Sequence, residues 1–351
     1  MIAMSGGVDS SVAAYLCAKK GYDCAGATMK LHDSYSNTEQ SCCTLSDIED
    51  ARSVANTLGF PYSVYDFESE FYDKVIKNFI DCYLCGRTPN PCIECNRNLK
   101  FKKLMEKALQ LGFDYVVTGH YVKCEFDEVS GRYLLKKAAD SKKDQSYVLY
   151  SLTQEELKHT LFPLGDLTKE QIREIANENG LINANKKESQ DICFVPDGDY
   201  ASFIEKRIET PIEKGNFVDK DGKVLGEHKG IIHYTIGQRK GLGIALGKPA
   251  FVTEICTETN EVVLGEQEDL YKSNLVADNI NLISVENLPT PTLLKAKIRY
   301  SKEEQPAYAY EKDGKLYVEF LEPQRAITRG QAVVLYDGDV VVGGGTIIDY
   351  N

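Results

Sequence analysis

The sequence predicts an α/β fold in which a Rossmann-like parallel-sheet domain is followed by two small β-rich domains, the last a β-barrel. Two textures carry this reading. Residues 1 to about 205 alternate short β-rich runs with amphipathic helical patterns, which reads as a parallel sheet with crossover helices. After about Ile208, Asp-Gly turn signals at 221–222, 313–314 and 337–338 separate short alternating segments, which reads as small barrels. The expected division is 1–205, 206–272 and 273–351.

In chain order, Ile2 to Met4 looks like the end of a first strand, and a helix follows through Leu16 to Lys19. Cys24 to Leu31 is a second strand. Ser46-Asp47-Ile48-Glu49 resembles a capping box opening a helix through Leu58, closed by Gly59. Tyr62 to Asp66 and Tyr115 to Thr118 are further strands. In the β-rich part, Phe251 to Thr257, Lys315 to Phe320 and Val340 to Ile348 alternate as half-buried strands do. Pro289-Thr290-Pro291 is a local breaker.

The 351 residues suit two or three domains, and 42% hydrophobic with 27% charged residues excludes a wholly disordered chain. The longest apolar runs, such as Ala332 to Leu335, are too short to cross a bilayer. The N-terminal residues lack the basic and apolar regions of a secretion signal, so a cytoplasmic protein with no membrane association is expected. Lys and Arg number 41 against 53 Asp and Glu, a net charge of −12. That balance speaks against a non-specific nucleic-acid coater but leaves room for a local basic face.

Eleven cysteines, an odd number, argue for reduced thiols rather than a disulfide framework. Cys17 and Cys24 read as small buried hydrophobes. Chemistry concentrates elsewhere. Ser5-Gly6-Gly7-Val8-Asp9-Ser10-Ser11 lies between a strand and a helix. Its glycines let backbone approach closely, and the helix N-terminus offers unpaired N–H groups to an anion. Hydroxyls of Ser5, Ser10 and Ser11 add donors, and Asp9 could help hold Mg²⁺. Without a Gly-Lys-Ser/Thr ending this is not a Walker A loop.

The loop resembles the pyrophosphate loop of the N-type ATP pyrophosphatases, which adenylate a carbonyl oxygen and release pyrophosphate. A second string is more selective. Gly86-Arg87-Thr88-Pro89-Asn90-Pro91-Cys92-Ile93-Glu94-Cys95-Asn96 precedes a helical stretch, Leu99 to Leu104. The two prolines bracket Asn90 and stiffen an extended loop that carries two thiols. Alone, Cys92-x-x-Cys95 is compatible with redox, metal-binding or structural roles. The whole string resembles the catalytic loop of bacterial tRNA-specific 2-thiouridylases. So do Cys42-Cys43-Thr44, Asp50 to Ala55, Thr118-Gly119-His120-Tyr121, Lys143-Asp144-Gln145-Ser146-Tyr147, Glu188 to Phe194 and Gly237 to Gly243. The likeness spans nearly the whole chain.

This resemblance implies an enzyme of the adenine nucleotide α-hydrolase-like class that places sulfur on C2 of the wobble uridine of tRNA. It implies ATP and Mg²⁺, with ATP contacts at Ala3, Met4, Ser5, Gly6, Gly7, Val8, Asp9, Ser10, Met29 and Gly119. The target base falls on Asn90, Pro91 and Cys92. Contacts to tRNA fall on His120, Lys143, Asp144, Gln145, Arg299, Tyr300 and Gln331. Cys95 becomes the nucleophile and Cys193 the persulfide carrier, joined in a transient Cys95–Cys193 disulfide. A sulfur-relay protein or cysteine desulfurase would supply the sulfur, and the free protein is expected to be a monomer.

The sequence departs from that family in two places. Many members carry Asp where this chain has Cys92, and a thiol exchanges protons only if its pKa is brought toward neutrality. Cys82-x-x-Cys85 is additional; an iron–sulfur cluster held by some of these thiols with Cys193 stays open. Two other readings compete with thiolation. One is another N-type ATP pyrophosphatase, such as an argininosuccinate-type synthetase, which has no use for paired reactive cysteines. The other is a non-catalytic, metal-stabilised RNA-binding protein, which leaves the ATP loop unexplained.

Overall fold

The computed structural model describes residues 1–31, 44–186 and 192–351. Cys42, Cys43 and Glu188 to Asp191 lie outside the described residues. Among the described residues no helix is long and apolar enough to cross a membrane.

A five-stranded, all-parallel sheet forms the core of the N-terminal part, in the order Tyr62–Asp66, Gly26–Lys30, Ile2–Ala3, Val116–Val117, Thr160–Leu161. Strand order therefore reverses beside Ile2–Ala3. In open α/β sheets ligands sit at such a switch point, outside the carboxyl ends of the strands. Both the 5–11 loop and the 118–120 turn leave from that point.

Helix Val8–Lys19 buries Val8, Val12, Ala13, Ala14 and Cys17 against the sheet, and Cys24 is also buried. Helix Leu45–Leu58 ends at Gly59 in the left-handed region, as expected, but its capping box is Thr44 with Asp47 rather than Ser46 with Glu49. Thr44 Oγ1 accepts from Asp47 N (3.1 Å), and Asp47 Oδ2 accepts from Thr44 N (2.8 Å). Lys186 also binds Asp47 Oδ1, which favours that register. A second correction concerns the Pro-rich string. The helix begins at Pro91, widens to π geometry over Asn96–Lys103 and continues over Leu104–Gln110, so both thiols ride on it.

The middle part is a four-stranded sheet of Phe251–Cys256, Glu261–Gly265, Gly215–Val218 and Val224–His228. The C-terminal part is a closed six-stranded barrel: Tyr271–Leu282, Lys315–Arg325, Gln305–Lys312, Thr292–Lys297, Ala332–Asp337 and Val340–Tyr350. Pairing of the first with the last closes it and removes the sheet edges. A hairpin absent from the sequence reading, Val122–Asp127 with Arg132–Lys137, extends the barrel sheet through Lys136 opposite Val340. Its Ser130-Gly131 turn was the available signal.

Candidate active site

The loop after the first strand is knitted by its own hydroxyls. Ser10 Oγ donates to Gly7 O (3.0 Å) and accepts from Ser5 N (3.2 Å), while Ser11 Oγ donates to Gly7 O (3.1 Å). Gly7, the N-cap, offers no side chain to the first turn of the Val8–Lys19 helix. Those N–H groups stay available to an anion.

Two glycines make the close packing possible. Gly6 has φ +73°, and a Cβ there would lie 2.3 Å from Asp47 O. Gly119 has no left-handed backbone, yet its Cβ would lie 2.8 Å from Ser10 N. The 118–120 turn thus presses directly on the start of the first helix. Gly6→Ala is expected to lower stability by more than about 1 kcal/mol, from the left-handed backbone alone. An unchanged denaturation midpoint would contradict this packing.

Asp9 lies one residue inside the helix. Its Oδ1 accepts from Tyr121 Oη (2.6 Å) and from Lys169 Nζ (2.7 Å). Asn183 donates to Gly6 O (3.0 Å) and Ser11 Oγ (2.7 Å), and Lys186 pairs with Asp50 as well as Asp47. Lys169, Asn183 and Lys186 are not marked out by the sequence, and Tyr121 enters there only as the last residue of the 118–121 string. Lys169, Asn183 and Lys186 come from segments far along the chain and carry no local signature.

Asn90 has extended backbone and caps the Pro91 helix, its Oδ1 accepting from Cys92 N (3.1 Å). Cys92 is exposed in the first turn, where a helix terminus acts most strongly on a thiol. Cys95 lies a turn further in and is 7% exposed. Cys193, half-buried, packs against the same hydrophobic cluster as Cys95. That cluster also contains Met29 and Phe194, with Ala3 against it. The structure therefore brings both cysteines to the side of the sheet that bears two of the expected nucleotide contacts.

Two other thiols, Cys82 and Cys124, have surroundings that keep them protonated. Burial pushes Cys82 up to about 11 and Cys124 up to about 12. Among the described residues no group of three or more His, Cys, Asp or Glu comes together to hold a metal ion. These residues do not fit an iron–sulfur cluster. Asp9 does fit Mg²⁺ as a single hard oxygen ligand: Oδ1 carries two donors, and the carboxylate retains its second oxygen.

The expected RNA-contact residues divide into two groups. His120 lies between Phe101 and Phe162, and burial holds its ring neutral, with Lys100 adding to the effect. Asp144 Oδ2 accepts from Ser146 Oγ (2.6 Å), and Tyr300 Oη donates to Asp144 O (3.2 Å). Lys297 sits 5.7 Å from the Tyr300 ring. Lys143, Asp144, Gln145 and Tyr300 thus gather where the barrel meets the N-terminal domain.

Arg299 and Gln331 brace other junctions. Arg299 Nη2 donates to Ile236 O (3.2 Å), Ala326 O (3.1 Å) and Thr328 Oγ1. Gln331 Nε2 donates to Thr88 O (2.9 Å), which holds the Asn90 segment against the barrel. An open cleft of about 660 Å³ is lined by Arg239 and 241–250 in the middle domain, by none of the residues above.

Three family models match successive stretches of the chain. A family model described as tRNA methyl transferase HUP domain matches residues 1–197. The tRNA methyl transferase PRC-barrel domain matches 201–266, and the aminomethyltransferase beta-barrel domain matches 272–347. The tRNA-specific 2-thiouridylase MnmA of Clostridioides difficile is 55% identical over 99% of this chain and 97% of its own. The protein of the same name from Acetivibrio thermocellus is 54% identical over 99% and 98%. Among solved structures, the U34-tRNA thiolase NcsA from Methanococcus maripaludis is 19% identical over 59% of this chain and 65% of its own, with a TM-score of 0.34. A likeness at that level carries no argument.

Proposed function

The chain belongs to the tRNA-specific 2-thiouridylase family, and on that premise we propose that it forms 2-thiouridine at the wobble position of tRNA in an ATP-dependent reaction. The observation that carries this reading is that Cys95 and Cys193 pack in one hydrophobic cluster with Met29 and Ala3, and Ala3 lies two residues before the candidate nucleotide loop. An amide-forming synthetase of the same superfamily has no use for that pair of thiols. A purely RNA-binding protein has no use for the loop.

In the proposed reaction ATP lies on the 5–11 loop, with Ala3, Met29 and Gly119 around the nucleotide. Asp9 would hold Mg²⁺, whose charge would offset that developing on the pyrophosphate leaving group. Adenylation of uridine O2 converts a poor leaving oxygen into AMP and polarises C2. The first-turn N–H groups of the helix are fixed donors toward the phosphates, so little reorganisation accompanies the chemistry. The base leaves the anticodon stack to reach Asn90, Pro91 and Cys92, at an unstacking cost of about a few kcal/mol. Cys193 carries a persulfide received from a relay protein or a cysteine desulfurase.

We assign residues 1–205 to catalysis, 206–272 to a connecting module and 273–351 to tRNA binding, in a cytoplasmic enzyme that is monomeric when free. His120, Lys143, Asp144, Gln145, Arg299, Tyr300 and Gln331 supply the RNA face. Arg299→Ala is expected to weaken tRNA binding and to reduce the salt slope by up to about one unit per lost phosphate contact. Weaker binding with an unchanged slope would leave Arg299 only its bracing role.

The decisive assay incubates the protein with tRNA, ATP, Mg²⁺ and a competent sulfur relay, then digests the tRNA and measures 2-thiouridine by mass spectrometry. Absence of thiolation would sink the reading.

A further inference from the structure

We propose that Tyr121 is a positioning residue that ties the nucleotide loop to the RNA-contact strip, so that nucleotide and tRNA bind cooperatively. The inference rests on the reading above and deepens it. Tyr121 is only 3% exposed, and its two ends are bonded to two different functional segments. At the side-chain end, its hydroxyl donates to Asp9 Oδ1 at 2.6 Å. Lys169 Nζ donates to the same oxygen at 2.7 Å and sits 5.9 Å from the Tyr121 ring centre. At the main-chain end, Tyr121 N donates to Gln145 Oε1 (2.9 Å), and Gln145 N donates to Tyr121 O (3.0 Å). One residue is therefore clasped on both sides by Gln145 and reaches Asp9 through a rigid ring.

Little slack exists along this connection. Gly119, two residues before Tyr121, already packs so closely on the first helix that a Cβ would meet Asp9 C and Ser10 N at 2.8 Å. On the other side, Asp144 is fixed by Ala138 N (3.0 Å) and Ser146 Oγ (2.6 Å), which holds the strip that presents Gln145. A displacement of Gln145 is passed to the Tyr121 backbone and on to the Asp9 carboxylate. The charges also require this control. A carboxylate beside a polyphosphate site repels the ligand unless it is oriented and neutralised. Lys169, 7% exposed, supplies the neutralising charge, and Tyr121 helps to set the orientation. Ordering of Gln145 by RNA would then also order Asp9 for the nucleotide, and the effect is reciprocal by linkage.

The test measures the dissociation constant of α,β-methylene-ATP with and without a tRNA transcript that carries a wobble uridine. In the wild type, tRNA is expected to tighten analogue binding about fivefold or more, within the usual range of coupling between sites. In Tyr121→Phe, which keeps the ring and removes the bond to Asp9, that ratio should fall to within about twofold of one. Gln145→Leu breaks the side-chain half of the clasp from the other end and should lower the ratio similarly, with no further loss in the double variant. It carries the test alone if Tyr121→Phe does not fold. A merely structural tyrosine would lower stability or both binary affinities and leave the ratio unchanged. A wild-type ratio of one, or a ratio that survives either substitution, overturns the proposal. Failure of the wild type to bind analogue or tRNA at all would instead overturn the proposed function, and this inference with it.

Discussion

Replacement of either Cys95 or Cys193 by serine is expected to eliminate 2-thiouridine formation while ATP-dependent adenylation of tRNA continues. In the proposed mechanism thiol and phosphate chemistry are carried by different residues, so the first half-reaction should survive. In the proposed second half-reaction the Cys193 persulfide presents its terminal sulfur to C2 as AMP departs. The Cys95 thiolate attacks Cys193 Sγ, breaks its bond to the transferred sulfur and forms a Cys95–Cys193 disulfide. Alternatively, the same attack precedes transfer and releases sulfide at C2. Both routes leave one disulfide, which an external dithiol must reduce before another turnover.

The two variants differ in one respect. Only Cys193→Ser should lose the stable protein persulfide, because in the proposed mechanism only Cys193 receives sulfur from the donor. Non-reducing peptide mapping after a single turnover should find Cys95 joined to Cys193. A Cys92–Cys95 bridge would instead make Cys92 the partner thiol and overturn the assignment. Cys92 is the serious competitor, since it is exposed in the first turn of the helix while Cys95 is buried.

Asp9→Ala and Ser10→Ala should each abolish pyrophosphate release and leave tRNA affinity nearly intact. The proposed phosphate contacts are concentrated in one loop, whereas the proposed RNA contacts are distributed between the N-terminal domain and the barrel. Ser10 holds the loop through Gly7 O and Ser5 N, so its loss frees the backbone that faces the anion. Asp9→Ala also strips a partner from Lys169, whose side chain is 8% exposed. Breaking a fully buried pair costs about 3 to 5 kcal/mol, less here because Asp9 is 30% exposed. Asp9→Asn keeps the shape and serves as the folded control. Loss of tRNA binding equal to the loss of pyrophosphate release would show that the loop has been misassigned.

Sequence alone determined what depends on neighbours in the chain. The strand–loop–helix of residues 2–19, the Gly59 stop, the Tyr62–Asp66 strand and the change to turn-punctuated β structure all rest on local pattern and backbone preference. Even there, tertiary contacts moved a boundary. Thr44 and Asp47, not Ser46 and Glu49, cap their helix, and Lys186 binds that Asp47. The exact helix start at Pro91 is not legible in the sequence, because proline signals both an extended predecessor and a first helical residue. Strands of two residues, such as Thr160–Leu161, are too short to show a period. What only the tertiary structure decided is which distant residues meet: Lys169 on Asp9 across 160 positions, Gln331 on Thr88 across 243, and Cys193 in the cluster of Cys95. No periodicity encodes such pairs. They are set by how the sheet, the Pro91 helix and the closed barrel pack, because burial selects the arrangement in which each polar group still finds a partner.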